Sequence, residues 1–305
     1  MNTALILLLA LLLDAIFGEP KWLWSRLPHP AVLMGRAVGW MDARFNTGKA
    51  KARNGILSLI ALCLGAGLLG MLVSNLPDYG IFQALLAAIL LAQKSLTQHV
   101  TAVADALRLS TADGRLAVAQ IVGRDTRVMN DNAIARGAIE SAAENLSDGV
   151  IAPAFWFLFL GLPGLLIYKI TNTADSMVGY MTPRHREFGW AAARFDDLIN
   201  WIPARITALL ITLTHNGWSK SHLILRDAPL HRSPNAGWPE SAMAVALDVA
   251  LAGPRSYEGE LRDFPFVHDE GRHNLTPHDI DAASQALWRT WAAAVFIIAI
   301  VALLI

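Results

Sequence analysis

Four polar blocks rich in acids, amides and glycine stand between long apolar runs of this chain: Gly123-Arg124-Asp125-Thr126, Glu140-Ser141-Ala142-Ala143-Glu144-Asn145-Leu146-Ser147-Asp148-Gly149, Asn172-Thr173-Ala174-Asp175-Ser176 and Arg194-Phe195-Asp196-Asp197. An unpaired carboxylate near hydrocarbon costs several kcal/mol, so acids gathered in such a setting imply a metal, cationic partners or a polar cavity. On a helix, Glu140, Glu144 and Asp148 follow one another at four-residue intervals and project from one face, unless Ser147-Asp148-Gly149 already ends the helix. Like charges stacked this way repel unless a cation lies between them. Mg²⁺ takes about six oxygen ligands and usually shares them with phosphate and water, so two or three of these carboxylates make a half-site. The alternative is a solvated acidic face paired with Arg136. Asn145, Asn172 and Asp175 beside it favour the metal.

Composition sets the surroundings. Of 305 residues, 54% are hydrophobic and only 16% charged, and the mean hydropathy is +0.40, less charge than a soluble domain usually carries. Lys plus Arg and Asp plus Glu balance at 25 each, without a long basic run, so the footprint of a nucleic-acid binder is missing and small molecules and lipid are the expected partners. The single cysteine, Cys63, excludes an internal disulfide and any Cys-based zinc site. Gly65-Ala66-Gly67-Leu68-Leu69-Gly70 matches a dinucleotide fingerprint literally but lies inside the longest apolar run, where small residues let helices pack closely. Neither a Walker motif nor HExxH occurs. Trp22, Trp24, Trp40, Trp201 and Trp218 fall near run ends, as membrane-interface residues do.

The elements that must position the acids are helical. Apolar runs occupy roughly 4–17, 55–76, 81–93, 150–170, 198–213 and 291–305, against about 20 residues needed to span a bilayer. The first reads as a retained helix, and the last spans if it begins near Ala286. Basic residues in 21–53 place that segment on the cytoplasmic side, with the N-terminus outward. A hairpin over 55–93 then returns 94–149 to the cytoplasm. Simple counting puts 171–197 outside, away from Glu144 and Asp148. Because Pro153, Gly161, Pro163 and Gly164 interrupt 150–170, that run is expected to be re-entrant or a broken helix pair lining a cavity. Stretch 94–149 reads as helical with a turn at Asp113-Gly114, and 253–290 as a polar loop with short helical pieces. The expected fold is therefore all-α: a polytopic integral membrane protein, one membrane domain over 1–305, with cytoplasmic helical or loop segments at 94–149 and 214–290.

In order along nearly the whole chain, the blocks Asp14-Ala15-Ile16-Phe17-Gly18-Glu19-Pro20, Leu27-Pro28-His29-Pro30 through Gly35-Arg36, Gly123 to Thr126, Glu140 to Gly149, Tyr168-Lys169 through Tyr180, Arg194 through Arg205 and Ser233-Pro234-Asn235-Ala236-Gly237-Trp238-Pro239-Glu240 resemble the adenosylcobinamide-phosphate synthases, membrane enzymes of cobalamin biosynthesis. Ala31 and Val245 depart from the resembled pattern. The resemblance implies an amide ligase that joins adenosylcobyric acid, a corrinoid, to (R)-1-amino-2-propanol or aminopropanol phosphate, with ATP as co-substrate and Mg²⁺ as cofactor. On that resemblance, Arg124, Lys169 and Arg194 fall to phosphate oxygens and, with Glu140, form the catalytic set. Glu144, Asp148, Asp175 and Asp196 or Asp197 fall to Mg²⁺. His29 and Arg36 are candidates for the aminopropanol phosphate or a corrinoid side chain, Asn145 and Asn172 for cofactor binding, and the turn at Asn235 and Gly237 for a phosphate held by backbone N–H groups. It further implies a multi-pass protein of the bacterial inner membrane with its site facing the cytoplasm, as a homo-oligomer or in a complex with other cobalamin enzymes. The competing class is a transporter or sensor of an anionic metabolite, against which stands the lack of an internal repeat.

Overall fold

The computed structural model describes residues 1–257 and 260–304; residues 258 and 259, within the connection expected over 253–290, lie outside the described residues. Helices come first: α1 (Thr3–Phe17), α2 (Lys21–Trp24), α3 (Pro30–Phe45), α4 (Lys51–Ser74), α5 (Ile81–Leu90), α6 (Gln93–Leu109), α7 (Thr111–Val118) and α8 (Asp131–Leu146). A π-helical turn, Ser147–Ile151, leads into α9 (Ala152–Val178), followed by α10 (Trp190–Ile199), α11 (Trp201–Thr214), α12 (Ser221–Asp227) and α13 (Gly237–Leu247). Four short strands, β1 (Leu251–Ala252), β2 (Arg255–Tyr257), β3 (Glu260–Arg262) and β4 (Phe266–Val267), precede α14 (Pro277–Leu304). The fold is the all-α, multi-pass kind expected. Four helical stretches, Lys51–Ser74, Ile81–Leu109, Asp131–Val178 and Pro277–Leu304, are long and apolar enough to cross a membrane.

The residues gather into two compact units. The first comprises Met1–Ala92, Asp148–Trp201 and the end of α14 from Ile297 onward. Its main packing is α4 against α9, and the glycines of α4 explain the closeness. Gly67 and Gly70 are buried, and a Cβ on Gly70 would overlap the backbone of Pro163. The literal dinucleotide fingerprint is thus a helix-packing face. Val38, Leu59, Ile170, Ala174, Val178, Phe188 and Ala192 form an apolar core where α3, α4, α9 and α10 meet. The opposite side of α4 exposes Leu57, Leu64, Leu68 and Leu72, a surface suited to lipid rather than water. Inside α9 the helix breaks at Gly161 (φ 63°, ψ −158°), with Pro163 just beyond, a backbone state that only glycine adopts without strain. The break falls inside the run read as discontinuous.

The second unit comprises Gln93–Ser147 and Ile202–Phe296. Here α8 packs on α6, α7 and α13 through Ile134, Ala135, Ala138, Ile139 and Ala142, all fully buried. Asn130 caps α8, its side chain accepting from Ala133 N–H at 2.9 Å, and Asp131 follows in the first turn, where a negative charge complements the helix dipole.

Two local expectations are corrected. Asp113-Gly114 is not a turn; both residues lie inside α7, because Ser110 caps that helix by accepting from Asp113 N–H at 3.0 Å and so moves the break three residues earlier. The connection before the last helix is not a loop with helical pieces as far as residue 290. β1 pairs antiparallel with β4, Leu251 opposite Val267, β2 pairs with β3, and α14 is continuous from Pro277, nine residues ahead of Ala286.

Candidate functional site

Asp148 and the blocks at 172–176 and 194–197 meet in the first unit around one amide. Asp148 sits on the π-helical turn, Asn172 on α9 and Asp196 on α10. Asn172 Nδ2 donates to Asp148 Oδ2 and to Asp196 Oδ1, each at 3.4 Å. Behind them Asn200 Nδ2 donates to Asp196 Oδ2 at 2.9 Å, and the buried Tyr168 hydroxyl contacts the Asp148 carbonyl at 3.1 Å and Asn200 Oδ1 at 3.0 Å. Two asparagines thus orient two carboxylates from separate blocks, and Tyr168 holds Asn200 and the Asp148 backbone in place. Burial, and then the neighbouring charge of Asp175, push the Asp196 carboxyl up to about 7, so near neutral pH it exchanges its proton readily for a cation. Burial also raises Asp197, which Arg194 partly offsets at 3.5 Å.

Lys169, on α9, interacts electrostatically with Asp148 and with Glu19. His29 belongs to the same neighbourhood, since Glu19 and Lys169 both act on it. It caps α3, its Nδ1 accepting from Ala31 N–H at 3.1 Å, and its ring meets Trp24 edge-on at 4.5 Å between centroids. Burial lowers its pKa, so the imidazole is neutral, and its buried Nε2 has no hydrogen-bond partner. Arg36 is exposed on α3.

Among the described residues, no three His, Cys, Asp or Glu side chains converge closely enough to hold a metal ion by themselves. The donor set still fits Mg²⁺. Asp148 and Asp196 share a single long amide contact, Asp175 adds repulsion, and a hard dication that keeps water and phosphate oxygens in its shell needs only one or two protein carboxylates.

The other predicted acids belong to the second unit, where their environments differ. Glu140 is buried, at 1% exposure, and accepts from Arg124 Nη2, from Arg255 Nη1 at 3.3 Å and from Ala252 N–H at 2.9 Å. Glu144 and Asn145 are exposed, Asn145 donating back to the Ser141 carbonyl at 2.9 Å. Arg136 interacts with Glu140 only through its charge; it donates to the carbonyls of Ala250 and His273 at 3.3 and 3.2 Å and lies over the Phe266 ring. The even four-residue stacking of Glu140, Glu144 and Asp148 also lapses, because α8 gives way to the π-helical turn at Ser147, which alters the angular register.

The turn at 233–237 is tight, but its amides are engaged. Asn235 N–H and Ala236 N–H both donate to Ser233 Oγ at 3.2 Å, while Arg205 donates to Asn235 Oδ1 at 3.1 Å. Gly237 is needed because a Cβ there would overlap the Ala228 carbonyl, and α13 starts at Gly237 itself. Arg255 and His231 are the polar residues that sequence reasoning missed. Arg255 reaches Glu140 across 115 positions, and no motif surrounds it.

Comparison with known proteins follows the same blocks. The model of the family described as CobD/Cbib protein matches residues 7–287. The chain is 48% identical over 305 residues to the cobalamin biosynthesis protein CobD of Brucella suis biovar 1, covering 94% of this chain and 93% of the relative. It is 40% identical over 294 residues to the CobD of Halalkalibacterium halodurans, with coverage of 92% and 91%. To that of Rhodobacter capsulatus it is 38% identical over 311 residues, with coverage of 100% and 99%. No solved structure matches the chain.

Proposed function

The chain belongs to the CobD/Cbib family of cobalamin biosynthesis proteins, and on that premise we propose that it is the membrane ligase joining a propionate carboxylate of adenosylcobyric acid to (R)-1-amino-2-propanol or its O-phosphate. Carboxylate and amine do not condense spontaneously in water. In the proposed reaction a propionate oxygen attacks the γ-phosphorus of ATP, forming an acyl phosphate and releasing ADP. The amine nitrogen then attacks the acyl carbon, phosphate departs, and the nitrogen gives up one proton.

The residues supply charge and orientation. Lys169 and Arg194 of the first unit neutralise phosphoryl oxygens, Lys as a compact charge and Arg through its fork, and Arg124 is a proposed anion contact of the second unit. Glu140 holds the Arg124 guanidinium in place. Asp148 and Asp196 are the proposed Mg²⁺ ligands, with Asp175 and Asp197 beside them in the same unit adding negative charge. When bound, Mg²⁺ supplies positive charge against the phosphates and helps align them. His29, neutral and with Nδ1 already accepting from Ala31 N–H, carries its proton on Nε2 and donates a hydrogen bond to a substrate oxygen, and Arg36 takes an anionic substrate group. The proposed chemistry faces the cytoplasmic side of a bacterial inner membrane, a reading that the basic residues of 21–53 support and that requires the broken run 150–170 to be re-entrant.

The observation that carries the reading is the meeting of Asp148, Asn172 and Asp196 around one amide. It is tested by ADP release from the detergent-solubilised full chain given ATP, Mg²⁺, adenosylcobyric acid and aminopropanol phosphate. Each component is omitted in turn, and corrinoid products are followed by mass spectrometry. ADP release coupled to a new corrinoid amide supports the ligase; corrinoid binding without turnover favours a transporter or sensor.

A further inference from the structure

We propose that two segments distant in the chain, the α3–α4 connection and the loop after α9, fold into one cationic surface that seats on anionic phospholipid headgroups on the side of the membrane where α4 begins. Over 42–55 and 180–189 the sequence places six cations, Arg44, Lys49, Lys51, Arg53, Arg184 and Arg186, against two acids, Asp42 and Glu187. Both segments belong to the first unit and are tied together. Asn46 Nδ2 donates to the Arg184 carbonyl at 3.0 Å across 138 positions, Arg184 Nη2 pairs with Asp42 Oδ2 at 2.6 Å, and His185 faces the same carboxylate at 3.4 Å. A Cβ on Gly55 would overlap the Phe188 carbonyl, so the loop also lies against the first turns of α4.

Arg184 spends its charge on Asp42. Arg44, Lys49, Lys51, Arg53 and Arg186 make no ion pair among the described residues, and all but the half-buried Lys51 are exposed. Five like charges gathered on one surface repel, and an anion drawn from outside relieves them. Position identifies that anion. α4 is long and apolar enough to cross a membrane and starts at Lys51, so the cations stand where its span meets water. From Asn54 to Gln93, which takes in the far end of α4, the sequence holds no Lys or Arg and a single acid, Asp78. The charge is therefore one-sided. Trp40, Tyr180 and Trp190, which flank the two segments, are exposed, and amphipathic rings of this kind settle at headgroup depth. Each Lys or Arg near an anionic leaflet adds an attraction that fades within a Debye length.

The path of the broken helix brings the second segment to this side. Asp148 meets Asn172, and the break at Gly161 lies between them in the chain. Gly70 of α4 packs on Pro163, and Gly55, four turns earlier on the same helix, on Phe188. The chain thus runs from Asp148 to the break, turns, and returns alongside α4 towards Lys51. Counting apolar runs had put 171–197 on the side opposite 21–53; the contacts of Asp42, Asn46 and Gly55 with the loop put the two on one side.

This surface does not rest on the ligase reading, and its test needs no turnover. The full chain, purified in a neutral detergent at low salt, is titrated with phosphatidylglycerol or phosphatidylcholine, and bound lipid is counted by native mass spectrometry. Wild type should prefer phosphatidylglycerol. The triple variant Arg44→Gln, Lys49→Gln, Arg186→Gln, changed only at exposed positions, should lose about tenfold or more of that affinity while keeping its affinity for phosphatidylcholine and a thermal midpoint no lower than wild type. Equal phosphatidylglycerol affinity in wild type and variant overturns the proposal. So does displacement of the lipid by excess glycerol phosphate, which would make the surface a site for soluble anions. The shared side is read separately: in a Cys63→Ala background, Lys49→Cys and Arg186→Cys should each react with a membrane-impermeant maleimide from the same face of sealed vesicles, and reaction from opposite faces overturns the single surface.

Discussion

Asp196 shows what a single residue does in this setting. Its carboxyl titrates at about 7 in the folded protein instead of 3.8, so between about pH 4 and 7 the folded state holds a proton that the unfolded chain has released. Stability therefore falls as pH rises through that window and levels off above it. Asp196→Asn should raise the thermal midpoint of the metal-free protein at pH 8, with the gain shrinking towards pH 4. Added Mg²⁺ should stabilise wild type at pH 8 and the variant much less; equal midpoints at every pH would refute the burial argument. Asp148→Asn keeps size and hydrogen bonding while removing charge, so turnover across a Mg²⁺ titration should drop by about two orders of magnitude or more while the fold survives. These acids were legible in the sequence because several of them interrupt apolar runs, which is rare without a function. What was not legible is the partner of each. Glu140 looked like one step of an acidic ladder, yet it is the buried hub of Arg124 and Arg255, and the latter contact depends on tertiary folding alone.

At the scale of elements, sequence reading succeeded where backbone chemistry is local. Gly161 and Pro163 announced the break in α9, and Gly67 and Gly70 announced a packing face on α4, which Gly65 of the same motif does not join. It failed at α7, where the Ser110 cap outweighs an Asp-Gly pair, and at β1 to β4, since strands of two or three residues are too short to show a period. The glycine face yields a sharp contrast. Gly70→Ala drives a methyl group into Pro163 and should cost about 1–3 kcal/mol, the usual range for overpacking. Gly65, in the same motif, has nothing within 4 Å of where a Cβ would stand, so Gly65→Ala should leave the thermal midpoint unchanged or slightly raised. If the two variants melt alike in detergent, α4 does not pack on α9 through this face.

For the whole molecule, four apolar helical stretches and the exposed leucines of α4 predict a protein that stays with the membrane pellet in high salt and in alkaline carbonate and is released by detergent. Release by salt alone would mean surface attachment rather than spanning. The membrane character follows from composition and is plain in the sequence. The division into two units is not, because it cuts the chain at 92, 147, 201 and 296, where no linker composition marks a boundary.

That interleaving bears on how the protein is made. The first unit takes in Met1 at one end and, at the other, the close of α14, and the Asn2 side-chain amide donates to the Ala302 carbonyl at 3.3 Å. A ribosome releasing this chain from its N-terminus must therefore complete all of the second unit before the first can close. The early helices wait in the bilayer for the last ones, and a premature stop in α14 ahead of Ala302 leaves the opening segment of the protein without its finishing contact.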